Sequence, residues 1–172
     1  NSEAILLRPG DPRLWFNRSF ACLKKGKYDR AIKDSSVAIW LEPDKVGYWF
    51  VRGVAHDAKG HLDLAIKDFT EVIKLRPRMS GGWSKRGLAY RKKSEYDLAI
   101  RDHSKAIRLN PNVAWTWYER GDSYGAKGNL DLAIKDFIEA IQLEPENVAA
   151  WKNGSEGCRV GNEVRSGGSP QH

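Results

Sequence analysis

An all-α solenoid is the fold class this sequence predicts, on three observations. Proline recurs at Pro9, Pro43, Pro77, Pro111 and Pro145, each 34 residues after the last. Tryptophan keeps the same step at Trp15, Trp49, Trp83, Trp117 and Trp151. Alanine does so at Ala31, Ala65, Ala99 and Ala133, each followed by isoleucine and, three residues after the alanine, by Asp34, Asp68, Asp102 or Asp136. A fixed period of this length marks stacked repeats, in which each unit buries its apolar face against its neighbours.

The register divides residues 12–147 into four units, 12–45, 46–79, 80–113 and 114–147. Residues 1–11 read as the end of a preceding repeat, with Ala4–Arg8 helical, so the chain reads as a piece of a longer protein. A degenerate capping helix is expected over 148–165, carried by Ala149, Trp151 and Cys158 within Val148–Val160. Its glycines (Gly154, Gly157, Gly161) weaken it, at about 1 kcal/mol each against alanine. Residues 166–172 read as a disordered tail.

Within each unit the pattern specifies two helices. Trp49 is followed three and four residues on by Arg52 and Gly53, and these four and three residues on by His56, as on one helix face. Gly60 ends that helix in the left-handed conformation glycine tolerates; Gly26 and Gly128 repeat it, with Ser94 in the third unit. Leu62, Ala65, Ile66, Phe69, Ile73 and Leu75 form the second stripe, and Pro77 stops it. The expected helices are 12–25, 28–41, 46–59, 62–75, 80–93, 96–109, 114–127 and 130–143. Short connections make each pair antiparallel.

With Trp49, Gly53, Ala65, Phe69 and Pro77 in these columns, the chain resembles the tetratricopeptide repeat (TPR) family over about residues 4–155. The resemblance implies a right-handed superhelix and a protein-interaction scaffold. Two departures stand out. Arginine (Arg18, Arg52, Arg86, Arg120) replaces the usual leucine before the small residue. Ser35 and His103 replace the aromatic of the second helix.

In an antiparallel hairpin turning near Gly60, Arg52 lies level with Asp68, as Arg18 does with Asp34, Arg86 with Asp102 and Arg120 with Asp136. A ladder of partly buried bidentate ion pairs explains this column. The alternative is four arginines aimed at an acidic ligand.

The family's ligand-facing columns, carried across, give a groove lined by Phe16, Asn17, Phe20, Phe50, Val54, Lys85, Leu88, Arg91, Lys92, Trp115, Tyr118 and Asp122, with Val51, Asp57 and Glu119 beside them. The expected ligand is a peptide or protein segment with apolar anchors at units 1 and 2 and an acidic group at Lys85, Arg91 and Lys92. Packing between repeats is the competing role for Phe16, Phe50 and Tyr118. Where chaperone-binding members of the family clamp a terminal carboxylate, this chain has Phe16, Phe20, Val51, Gly81 and Lys85. Only Lys85 carries the needed charge, so that mode is not expected.

The formal net charge is +7, spread as +4, +2, +5 and −4 over units 1 to 4. Basic units leave nucleic-acid binding open as an alternative, opposed by the strict 34-residue step and the acidic fourth unit. Self-association through open repeat ends is the other alternative. No histidine has a nucleophile or carboxylate partner at motif spacing, and no phosphate loop or metal-spaced Cys/His set is present, so neither catalysis nor a cofactor is expected. The sequence has no apolar run of 18 residues and no leader, and the compartment stays open.

Overall fold

The computed structural model describes residues 8–147. It holds eight α-helices: α1 (Pro12–Lys24), α2 (Tyr28–Leu41), α3 (Val46–Ala58), α4 (Leu62–Leu75), α5 (Ser80–Lys92), α6 (Tyr96–Leu109), α7 (Ala114–Ala126) and α8 (Leu130–Leu143), followed by a 3-10 turn, Pro145–Asn147. Each consecutive pair packs as a hairpin, and each hairpin packs on the next. No strand occurs among the described residues.

Each first helix stops one residue before the sequence reading places its end. Lys25, Lys59, Lys93 and Lys127 are caps whose N–H groups still bond back into the helix. The next residue takes positive φ at Gly26, Gly60 and Gly128, and the N–H after it reaches the carbonyl five residues back, as Lys27 does to Cys22 at 2.9 Å. This closure satisfies carbonyls that the helix end leaves open. Ser94 adopts the same conformation at φ 61° without glycine's freedom. The helix expected at Ala4–Arg8 lies outside the described residues except for Arg8, which is not helical. The capping helix and tail also lie outside them.

The other connection, between units, is held by tryptophan. The indole Nε1–H of Trp15, Trp49, Trp83 and Trp117 donates to the carbonyl of the proline six residues back, at 2.8–2.9 Å. Over each indole lies the guanidinium of Arg18, Arg52, Arg86 or Arg120, 4.8–5.1 Å from the ring centroid. Each guanidinium donates through Nε and Nη2 to both oxygens of Asp34, Asp68, Asp102 or Asp136, at 2.6–3.0 Å. The arginines of units 2 to 4 also donate through Nη1 to Ser36, Thr70 and Ser104 of the preceding unit, at 3.0–3.1 Å. One side chain thereby ties both helices of its own unit and the unit before. A second ladder links the turns, as Lys59, Lys93 and Lys127 pair with Asp29, Asp63 and Asp97.

Close approach inside each hairpin rests on a small residue facing a large one. A Cβ placed on Gly53 would lie 2.8 Å from Phe69, one on Gly121 would lie 2.8 Å from Phe137, and one on Gly87 would lie 2.9 Å from His103. Unit 1 replaces this contact with hydroxyls: Ser19 and Ser35 both donate to the Ala31 carbonyl, at 2.9 and 2.6 Å. His103 fills an aromatic slot with no exposure at all, and neither ring nitrogen has a hydrogen-bond partner.

Candidate binding groove

First helices of neighbouring units touch one another, α1 with α3, α3 with α5 and α5 with α7, while neighbouring second helices make far less contact. The stack therefore curves with the first helices on its inner side. The residues facing inward differ in chemistry between its two halves.

The half built by units 1 and 2 is apolar. Phe16 packs on Tyr48 at 5.0 Å between ring centroids and lies 6.4 Å from Phe20. Phe50 meets Phe69 edge-on at 5.9 Å. Phe16 and Phe50 each cross to the next unit where it carries glycine, since a Cβ on Gly47 would touch Phe16 at 3.5 Å and one on Gly81 would touch Phe50 at 3.9 Å. Both aromatics thus serve the repeat interface. Phe20 is the exception, with 46% exposure and the Lys24 ammonium 5.5 Å from its ring centroid. Val54 and Leu88 are half-buried and Asn17 is exposed.

At the third interface large and small change places. Ser84 stands in the column of Phe16 and Phe50, and Trp115 stands where Gly47 and Gly81 stood. The Trp115 indole stacks on Tyr118 at 5.4 Å, and Tyr118 packs on Phe137 at 5.6 Å. Trp115 is thus large where Gly47 and Gly81 are small, while the Ser84 hydroxyl meets that of Thr116 at 3.5 Å.

The half built by units 3 and 4 is ionic and internally paired. Arg91 donates to Glu119 at 2.6 Å and to Asp122 at 2.8 Å. Lys92 bonds both oxygens of Asp57 at 2.8 Å. Burial works against the Arg91 charge, and Glu119 and Asp122 more than offset it, holding the guanidinium above its ordinary range. Burial pushes the Glu119 carboxyl up, with Arg91 opposing. Arg91 and Lys92, expected to meet an acidic ligand, are both engaged by carboxylates of this chain. Val51 and Glu119 also leave the groove, being 4% and 1% exposed. Lys85 is half-buried, with no ion pair among the described residues.

Sequence reasoning misses the Arg91 cluster because its members sit 28 and 31 residues apart in units that share no charge pattern. Reading each inner residue against those 28 and 31 further on would find it: Leu23 with Val51 and Val54 is apolar, and Arg91 with Glu119 and Asp122 is ionic. Among the described residues, no group of three or more His, Cys, Asp or Glu is placed to hold a metal. No described helix is long and apolar enough to cross a membrane.

Family models described as "Tetratricopeptide repeat" match residues 46–79 and 114–147, and one described as "TPR repeat" matches 87–128. The chain is a tetratricopeptide repeat protein. A crystal structure of MamA matches this TPR chain with a TM-score of 0.80 at 22% identity, over 86% of each chain. MamA 41-end from Desulfovibrio magneticus RS-1 matches with a TM-score of 0.73 at 25% identity, over 78% of this chain and 76% of that one. TTC0263, a thermophilic TPR protein in Thermus thermophilus, matches with a TM-score of 0.72 at 21% identity, over 88% of this chain and 85% of that one. No curated protein matches the chain in sequence. The family matches support a protein-interaction scaffold in general terms, and the structural likenesses show its TPR fold.

Proposed function

We propose that the inner surface of the stack binds an extended segment of a partner protein through the apolar half of its groove. The observation that carries this reading is Phe20, nearly half exposed beside Phe16. An exposed aromatic backed by buried aromatics is the usual anchor of an interface. The ligand's apolar side chains meet Phe16, Phe20, Phe50 and Val54. Trp115 and Tyr118 close the far end. Acidic groups of the ligand meet Lys24 and Lys85, the cations of the inner face that no carboxylate holds in an ion pair among the described residues, and these set orientation and association rate more than affinity. Arg91 and Asp122 act instead by keeping units 3 and 4 in register, and Lys92 by tying unit 3 to Asp57 of unit 2.

Selection of a displayed random peptide library on the full chain, followed by titration of the recovered peptides, tests this. Peptides with two spaced apolar residues are expected. Phe20→Ser should weaken them by about 2 kcal/mol, roughly thirtyfold, mainly through faster dissociation. Lys85→Glu should slow association and reduce its salt dependence. Recovered peptides that ignore both changes but lose affinity on Lys67→Glu or Lys74→Glu, on the second helices, would move the site to the outer face.

A further inference from the structure

The outer side of the stack, made by the second helices, carries nearly all of the protein's net charge. In α2 the buried residues are Ala31, Asp34, Ser35, Ala38 and Ile39, which leaves Arg30, Lys33, Val37 and Trp40 on the opposite side of the helix. These four columns, followed through α2, α4, α6 and α8, hold eight basic and two acidic residues, a net of +6 against +7 for the whole chain. One column is basic in every unit: Lys33, Lys67, Arg101 and Lys135, all exposed. Arg30, Lys74, Lys105 and Arg108 stand beside it, and Glu71 and Glu139 are the two acids. The ion pairs of this face join Arg30 to Asp34, Lys74 to Glu71 and Arg101 to Asp102. Its other five cations have none among the described residues. The acidity of the fourth unit is turned inward, because Arg91 holds Glu119 and Asp122 and Arg120 holds Asp136. On the same face Trp40 is 80% exposed, more than any other large apolar side chain among the described residues. Such a ring adds little to the core of the fold.

We propose that this outer face binds single-stranded nucleic acid, its phosphates along the column from Lys33 to Lys135 and a base stacked on Trp40, about 10 Å along α2 from Lys33. Three observations select this occupant among polyanions. The face is convex, so a flat bilayer would meet it along a narrow line. A duplex, stiff over about 150 base pairs, would do the same, whereas a single strand can follow the curve. The cations recur once per unit across all four units, which suits a polymer charged at every residue better than a local acidic cluster of a folded protein. Trp40 offers a stacking face, which bases use and acidic side chains do not. Contacts of this kind position a strand without reading its sequence. The surface is separate from the inner groove, so this binding does not depend on that of a peptide.

Fluorescence anisotropy of labelled uridine and thymidine oligomers of about 16 nucleotides, titrated with the full chain, tests this. Binding of either supports the proposal, and the tighter of the two is the form recognised. The logarithm of the affinity should fall against the logarithm of salt with a slope of about −3, as four phosphate contacts give. The combined variant Lys33→Gln, Lys67→Gln, Arg101→Gln, Lys135→Gln should bind at least about tenfold more weakly and flatten that slope. Trp40→Ala should cost at least about fivefold. A variant matched in charge, Lys25→Gln, Lys27→Gln, Lys45→Gln, Arg78→Gln, removes cations of the turns and connections and should stay within about twofold of the parent. Every side chain changed is exposed, so each variant should melt with the parent chain. Failure of both oligomers to bind overturns the proposal. Equal loss in the two fourfold variants also overturns it, by showing attraction to net charge alone. So does equal or tighter binding of oligoglutamate, or of vesicles of phosphatidylserine and phosphatidylcholine, which would assign the face to an acidic protein or to a membrane.

Discussion

His103 shows what one residue can cost inside a repeat. It occupies the slot that Phe69 and Phe137 fill in units 2 and 4, equally close to its glycine, with two ring nitrogens that find no partner. Burial, reinforced by the nearby Arg91 and Arg120 charges, lowers its pKa to about 3, against about 6.5 in an unfolded chain. As pH falls through 6.5 the unfolded chain takes up a proton that the folded chain refuses until about pH 3. Stability is therefore full above pH 6.5 and declines by about 1.4 kcal/mol per pH unit below it. His56, also held low chiefly by burial, adds to the same decline. His103→Phe should raise stability by about 1–3 kcal/mol by removing unpaired polar atoms and should flatten that decline, as read from urea melts at pH 7.5 and pH 5. An unchanged slope would mean that the ring is not held neutral in the folded state. The sequence places His103 in a core column. Its orphaned nitrogens depend on what neighbouring units bring close, which a single column does not contain.

Among pairs of elements, the arginine at the seam joins three helices. Because Asp68 is 2% exposed and held at two points by Arg52, Arg52→Leu alone should cost about 3–5 kcal/mol, the penalty for stranding a buried charge. Arg52→Leu with Asp68→Leu should cost clearly less than the two single changes summed. A double-mutant cycle by denaturant melting measures the difference, and strict additivity would show that the pair does not act as a unit. The 16-residue step from arginine to aspartate is legible in the sequence, because the hairpin turn fixes which residues lie level. The third bond, to Ser36, Thr70 or Ser104, is not, because a hydroxyl column half-buried on a helix has many local uses; Ser36 and Thr70 also donate to carbonyls four residues back. The exchange of Phe–Gly for Ser84–Trp115 is visible only once it is known that residues 31 apart touch.

At the scale of the whole stack, the governing fact is that contacts among the described residues run only between neighbours. Such a stack has stability that depends on position, because inner units have two neighbours and outer units one. Amides of α4 and α5 should exchange slowest, with protection falling outward to α1 and α8 in native-state hydrogen exchange. Uniform protection throughout would show that the stack opens as a single cooperative body instead. At this scale the sequence is most informative, since the 34-residue step contains the fold class, the helix order and the connections. The groove is less legible. The repeat register identifies which columns face inward, but the pairing of Arg91 and Lys92 with Asp57, Glu119 and Asp122 depends on differences between units, which periodicity averages away.

The indole bond to the proline carbonyl bears on how such a chain can change length. Its span is six residues, and the same ring lies beneath the arginine that reaches the previous unit. One extra residue in that connection would break the indole bond and shift the guanidinium off its hydroxyl in a single event. Lengthening is thus open only in whole 34-residue blocks, which leave every clamp intact, so gene duplication rather than small insertion is the route by which this array can grow.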